Sequence, residues 1–375
     1  MSKTVRYGII GCGMMGHEHI RNIALLPHTS VAAIFDPDSG MQKSAAELAP
    51  DAVFTETLEE LLGLPDLDCL VVVSPNYLHA EQLRVIASQN PLPLLMEKPL
   101  FTDMADAEEI KNYRESYPAP IWVAMEYRYM PIIDRFIQEI RLMQQSDEAI
   151  HMLTIREHRF PFLEKVGDWN RFSRNTGGTL VEKCCHFFDL MRFIHQSKPV
   201  RVFASGGQSV NHLSERYFGE TPDILDNGYV LLDFENGARA MLELCMFADG
   251  SRFQESISAV GESQKVECHV PGPHRFWPTE KLGPAPIAEL TISPRDLSGE
   301  RSVEIPVDPG LLEAGDHNGS TYYQHKKFLD VVRNNGTVEV GLNDGYAAVI
   351  IGKAAHHSID TGQPVDLTQG QFVLT

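Results

Sequence analysis

Gly11, Gly13 and Gly16 form a G-x-G-x-x-G pattern at the end of the apolar run 5–10, and Asp36 closes the next apolar run, 30–35. In such a pattern the first glycine allows a tight turn and the second lets backbone approach a pyrophosphate. The third lets helix and strand pack closely. The helix that follows offers free N–H groups and its positive dipole end to phosphate. A strand before the glycines, a helix after them and an acid about twenty positions further on make up the context the motif requires. Asp36 would accept hydrogen bonds from ribose hydroxyls and repel a 2′-phosphate. Pro37 and Asp38 follow it, with no adjacent Arg or Lys, so the pattern predicts NAD rather than NADP. Met14 and Met15 lie inside the loop, and Ser74, Asn76, His79, Glu97 and Lys98 follow later strands. All are candidate cofactor contacts.

Two further motifs carry reactive side chains. Met96-Glu97-Lys98-Pro99 ends a predicted parallel strand, where open α/β sheets bind ligands. Gly177-Gly178-Thr179-Leu180-Val181-Glu182-Lys183-Cys184-Cys185-His186-Phe187-Phe188-Asp189 opens a long amphipathic segment. With the glycine pattern, and with Asp316-His317-Asn318-Gly319 further on, these resemble the glucose–fructose oxidoreductase / inositol dehydrogenase (Gfo/Idh/MocA) family over nearly the whole chain. The resemblance implies a Rossmann domain followed by an α/β domain with an open sheet, the substrate lying in the cleft between them. It implies Lys98 as the active-site lysine and His186 as the proton-transferring histidine. Glu182 stands where inositol dehydrogenase-like members usually carry aspartate, a departure that leaves its role open.

The chemistry of these residues agrees. Taking a hydride from an alcohol carbon requires a base for the hydroxyl proton. A histidine neutral near pH 7 meets that need, and Glu182 lies one helical turn from His186 on the same face. Asp189, a turn further on, either orients the imidazole or belongs to the polar face. Lys98, buried near a positive nicotinamide ring, is expected to have a lowered pKa and to share the proton or hold the substrate oxygen. Arg156, Arg159, Arg171 and Arg174 surround Trp169 and Asn170. They either pair with Glu157, Glu164 and Asp168 or grip an anionic group on the substrate. Arg159, Trp169 and Arg171, with Tyr127, Arg128, His317 and Tyr322, are candidate substrate-lining residues beside Glu182 and His186. No metal site is expected: His17 and His19 lack the i, i+4 spacing of a zinc-binding helix. His356 and His357 receive no role.

Positioning these groups requires two architectures. Up to about residue 124, strand patterns (5–10, 30–35, 70–74, 92–96, 121–125) alternate with helical ones, which predicts a doubly wound parallel sheet. Beyond it, helical patterns at 130–143 and 179–194 accompany strand-like runs at 151–158, 200–208, 228–234, 238–246, 253–260 and 265–270. These predict a large, mostly antiparallel sheet. Residues 271–309 read as loop with one strand pair, and helices at 322–334 and 344–361 close the chain. The expected division is a dinucleotide domain over 1–124, a substrate and oligomerisation domain over 125–317, and C-terminal helices over 318–375.

Bulk properties narrow the field. With 32 Lys and Arg against 51 Asp and Glu the net charge is −19, which repels nucleic-acid and anionic-lipid surfaces. The 6 cysteines show no CxxC pair or disulfide framework. The chain begins Met-Ser-Lys-Thr with no secretory pattern, and no apolar stretch nears the roughly 20 residues that span a bilayer, so a cytoplasmic location is expected. An open sheet exposes an apolar face, which predicts a homodimer or homotetramer through it. Three functions compete: an NAD-dependent dehydrogenase of a sugar or cyclitol hydroxyl; an NAD-dependent glycoside hydrolase that oxidises its sugar transiently, with an anionic sugar glycoside among its candidate substrates; and a non-catalytic NAD sensor. The last is disfavoured by the presence of both Lys98 and His186.

Overall fold

The computed structural model describes residues 3–374. The first half alternates as expected: β1 (Val5–Ile10), α1 (Met14–Ala24), β2 (Thr29–Phe35), α2 (Ser39–Leu48), β3 (Val53–Thr55), α3 (Leu58–Leu62), β4 (Cys69–Val72), α4 (His79–Gln89), β5 (Leu94–Met96), α5 (Ala107–Ser116) and β6 (Ile121–Val123). The six strands are parallel in the order β3-β2-β1-β4-β5-β6, a doubly wound sheet. Asp38 caps α2 by accepting from Met41 N at 2.9 Å, the role its position predicts. β3 and α3 received no element from the sequence. Three and five residues are too few to display a period.

After β6 come α6 (Pro131–Gln145), β7 (Met152–His158), α7 (Ser173–Thr176), α8 (Thr179–Glu182), α9 (Cys185–His195), β8 (Pro199–Gly207), β9 (Asn227–Phe234), β10 (Arg239–Cys245), β11 (Glu255–Val260), β12 (Gln264–Val270) and α10 (Thr279–Leu282). The chain closes with β13 (Ala288–Pro294), β14 (Arg301–Ile305), α11 (Pro309–Ala314), α12 (Ser320–Asn334), α13 (Leu342–Thr361) and β15 (Val365–Asp366). The strand pair expected within 271–309 is β13–β14. The nine strands run β14-β13-β12-β11-β7-β10-β9-β8-β15, antiparallel except for β7 beside β10. Strand residues alternate: Leu153, Ile155, Leu242, Leu244, Val230 and Leu232 are buried on one face. Phe203, Leu231 and Met241 pair across the other, where Phe203 and Leu231 are exposed.

One expectation is corrected. The single helix read over 179–194 is two, broken at Lys183–Cys184. At the break Cys184 has φ −89° and ψ −3°, at the edge of the right-handed helical region, and the Glu182 carbonyl accepts a side chain, Lys98 Nζ, at 3.2 Å. Apolar periodicity does not register such a break, because the burial pattern continues through it.

α13 lies at the junction. It packs on α5 and β6 on one side and on α8, α9 and β8 on the other, and Val123 N donates to Val340 O just before it, at 2.9 Å. Among the described residues no helix is long and apolar enough to cross a membrane.

Candidate active site

The glycine loop sits at the C-terminal ends of β1 and β4, where strand order reverses. Gly11 has φ +93°, and a Cβ there would fall 2.7 Å from the Ser74 backbone. A Cβ on Gly16 would meet Gly11 O at 2.7 Å, so this glycine packs beneath the loop. At Gly13, the N-cap of α1, the corresponding space is open and faces a groove of about 890 Å³. An open cradle over a helix N-terminus with no acid in its first turn suits a pyrophosphate. Gly11, Gly13, Met14, Met15, Asp36, Ser74, Asn76, His79, Glu97 and Lys98 all line this groove.

Asp36 Oδ2 accepts from Cys12 N at 2.7 Å and Oδ1 from Asp38 N at 2.9 Å, which fixes the carboxylate at the groove wall. Asp38, Glu56 and Glu59 line the same end, which carries no Lys or Arg among its lining residues. Ser74 donates to Gln82 Oε1 at 2.5 Å, and His79 bridges the Ser74 and Pro99 carbonyls at 3.0 and 2.7 Å. His79 thereby braces two strand-end loops against each other.

At the inner end, β5 delivers Glu97 and Lys98, and the Lys98–Pro99 peptide is cis. The break between α8 and α9 brings up Glu182 and His186. Lys98 reaches the carbonyl of Glu182, while the Glu182 carboxylate turns to Lys165 Nζ at 4.0 Å and leaves Oε2 buried and unpartnered. Burial raises the Glu182 pKa against the pull of Lys165 and Lys98. His186 is buried and stacks on Tyr127, with ring centroids 4.1 Å apart and planes 6° from parallel. Burial and the charges of Lys98, Lys183 and His317 hold His186 well below its ordinary pKa, so it is a neutral imidazole at pH 7. For Lys98 burial works against the charge, but the Cys185 sulfur and the carboxylates of Glu97, Glu182 and Glu126 outweigh it and raise the pKa. In this setting Lys98 is a cation, and the neutral base is His186.

Other expected residues lie elsewhere. Asp189 does not orient His186, whose Nδ1 has no partner. Instead Asp189 forms a two-pronged pair with Arg128, at 2.6 and 2.5 Å. Arg128 also donates to Glu339 O at 3.1 Å and lies over the Phe193 ring, so it leaves the substrate-lining set. Of the arginine cluster, Arg156 donates to Ser256, Arg171 pairs with Glu215 and Arg174 with Glu220. Arg159 lies 3.4 Å from Glu157 Oε1 and over the Phe160 ring, and its charge, like that of Arg171, reaches Glu182. Trp169 lines the dinucleotide groove, edge-on to Tyr77 across it at 6.2 Å. Tyr322 packs against Tyr323, and its neighbour Thr321 supplies the inward hydroxyl. His356, given no role, accepts from Leu180 N at 3.1 Å and caps α8 beneath Gly178.

A buried network behind Lys98 was not anticipated. His325 Nε2 meets His19 Nδ1 at 2.7 Å, and His19 Nε2 meets Glu97 Oε1 at 3.1 Å. His317 Nδ1 lies 2.9 Å from Glu18 Oε1 and 3.6 Å from Glu126 Oε1. Burial lowers the His317 pKa, but Glu126 and Glu18 raise it further, to about 9. Thr321 Oγ1 is 2.7 Å from Glu18 and 2.6 Å from Glu126. One hydroxyl has one proton to give, so one carboxyl must donate in return. Burial, Glu97 and Glu18 raise the Glu126 pKa against the pull of His317 and the Thr321 hydroxyl. Glu18, Glu126 and His317 hold donor atoms within 4.8 Å of one another, a spacing a metal could use. The imidazolium and the Thr321 bridge already balance these carboxylates. The sequence signal was Glu18 and His19 on α1, but their partners lie far along the chain.

Fold and site together define an oxidoreductase built on a dinucleotide-binding domain. Residues 5–125 match the oxidoreductase-family model for an NAD-binding Rossmann fold, and residues 148–367 match the model for that family's C-terminal α/β domain. The chain belongs to the Gfo/Idh/MocA oxidoreductase family. It is 26% identical over 374 residues to the oxidoreductase YrbE of Bacillus subtilis, covering 98% of each chain. It is 27% identical over 281 residues to an inositol 2-dehydrogenase of Corynebacterium glutamicum, covering 71% of this chain and 77% of that one. A levoglucosan dehydrogenase structure with NADH and levoglucosan shares the fold at TM-score 0.78 and 19% identity, covering 98% of this chain and 100% of that one.

Proposed function

We propose that this protein transfers a hydride between a secondary hydroxyl of a sugar or cyclitol and the nicotinamide of NAD. The observation that carries the reading is Lys98 on the wall of the dinucleotide groove, bonded to the Glu182 carbonyl, with a neutral His186 one turn beyond Glu182 and near enough to feel the lysine's charge. When bound, the nicotinamide supplies the hydride acceptor or donor. His186 takes the hydroxyl proton, and Lys98 stabilises the negative charge that develops on the oxygen. Tyr127 holds the imidazole plane by stacking. The acids at the ribose end, Asp36, Asp38, Glu56 and Glu59, support NAD over NADP. The inositol and levoglucosan dehydrogenases among the relatives support a polyol substrate.

The deciding experiment is a screen of inositols, neutral hexoses, uronates, sulfosugars and their glycosides with NAD, following both A340 and aglycone release. Net NADH formation with at least one polyol is expected. Absence of turnover with all of them, by a protein that binds NADH, would overturn the reading. A redox-neutral glycoside hydrolase is the second reading, since transient oxidation of a sugar would use the same Lys98 and His186. Aglycone release with only catalytic NAD would establish it. We further place the active form in the cytoplasm, where six unpaired cysteines are at home. We assign it as a homodimer or homotetramer through the outer face of the second sheet.

A further inference from the structure

Glu157 of β7 and Glu255 of β11 stand directly opposite each other on the inner face of the second sheet. Side chains so placed have Cβ atoms about 5 Å apart, and two like charges there repel. Both residues are buried, at 0% and 1% exposure. One oxygen of each is held by the protein. Glu157 Oε1 lies 2.9 Å from Lys183 Nζ and 3.4 Å from Arg159 Nη1, and Glu255 Oε1 accepts from Gln254 Nε2 at 2.6 Å. The second oxygen of each, Oε2, is buried with no partner among the described residues.

Unfilled buried acceptors are expensive, and a fold with no use for them replaces the acid with an apolar residue. These two are not isolated. Glu182 Oε2 and His186 Nδ1 are unfilled as well. A continuous path joins the pair to the base: the His186 ring stacks on Tyr127, Lys183 donates to the Tyr127 hydroxyl at 2.7 Å, and Lys183 pairs with Glu157. These four atoms are sealed and unpartnered, and a ligand rich in hydroxyls that opened onto them from the His186 side would complete the bonding.

We propose that Glu157 and Glu255 are the polyol-recognition pair, their free oxygens accepting from two neighbouring hydroxyls of an uncharged sugar or cyclitol. This rests on the sugar or cyclitol reading above and names the substrate's charge class within it. Burial, together with the charge of Glu157, pushes Glu255 up to about 7. Near neutrality Glu255 is therefore about half protonated and can offer either a donor or an acceptor to a hydroxyl. An acidic sugar would bring a third carboxylate to two acids whose cations, Lys183 and Arg159, are already engaged, so the pair selects against it.

The test is steady-state kinetics of the full-length protein with NAD on a neutral polyol, its singly deoxy analogue and the corresponding uronate. E157Q and E255Q are each expected to raise KM for the neutral polyol about tenfold or more, with kcat changed less than about threefold and NADH affinity unchanged. The unaltered protein is expected to prefer the neutral polyol over the uronate by at least about tenfold in kcat/KM, a measurement that stands even if neither variant folds. Variants that lose thermal stability but keep KM would make the pair purely structural and overturn the proposal, as would a wild-type preference for the uronate. A wild-type protein that binds NADH but turns over no polyol removes the underlying reading instead. That failure is distinguishable, because it appears before any variant is made.

Discussion

At the active site the sharpest consequence concerns pH. A histidine held well below its ordinary value stays unprotonated until the medium is more acidic than pH 6.5, and a lysine held above its value keeps its charge beyond pH 10.5. The acid limb of kcat/KM should therefore lie below pH 6.5, with a broad plateau above it. An acid limb at 6.5–7 would assign the base to another group. H186N should cut kcat by a factor of about 10² to 10⁴ while NADH titration remains as in the wild type. At the other end of the groove, D36S should raise KM for NAD and narrow its preference over NADP by about tenfold or more. Unchanged cofactor ratios would remove Asp36 from recognition. The glycines, Asp36, Lys98 and His186 were legible because each sits in a local pattern whose spacing encodes its geometry. Glu126 and Thr321 were not, because their meaning arises only when residues 18, 126, 317 and 321 meet in space.

The elements that carry these residues are tied down by buried polar contacts. Arg128 and Asp189 join the turn after β6 to α9 with both members buried. Removing one partner leaves an uncompensated buried charge, so R128M should destabilise the protein by about 3–5 kcal/mol in denaturant unfolding. Substrate KM should be unaffected in the fraction that folds. A large KM change at unaltered stability would return Arg128 to the substrate site. Strand alternation and most helices followed from periodicity and turn chemistry. The break between α8 and α9 did not, because the buried apolar pattern runs through it unchanged, and β3 and α3 were too short to declare themselves.

Across the whole molecule, the pair of half-buried His317 and buried Glu18 sets a pH window for stability. The His317 pKa is raised to about 9, so its contribution is complete below pH 6.5 and is lost as pH rises through 9. The Glu18 pKa is lowered to about 2: burial pushes it up, but His317, Asp316 N–H and Thr321 pull it down further. Its contribution is complete above pH 4.5 and is lost as pH falls through 2. Tm should therefore decline between pH 7 and 9.5, and H317Q should flatten that decline. An equal decline in the variant would place its origin elsewhere. On the outer face of the second sheet, Phe203, Leu231 and Met241 form a cross-strand apolar row. L231K should shift the protein to a smaller species in light scattering if this face is the subunit contact. An unchanged mass would rule that face out.

α13 sets Gly345 against Val123 of the first half and Gly352 against Val181 of the second. It is nearly the last segment of the chain, and both halves lean on it. The dinucleotide half is thus no cassette to be cut out at residue 125 and grafted elsewhere, since the cut would bare the Val123 side of its own sheet. During synthesis the first sheet emerges early but must wait for residues 342–361 before that flank is covered. A premature stop in this stretch would spoil the cofactor half and the substrate half together.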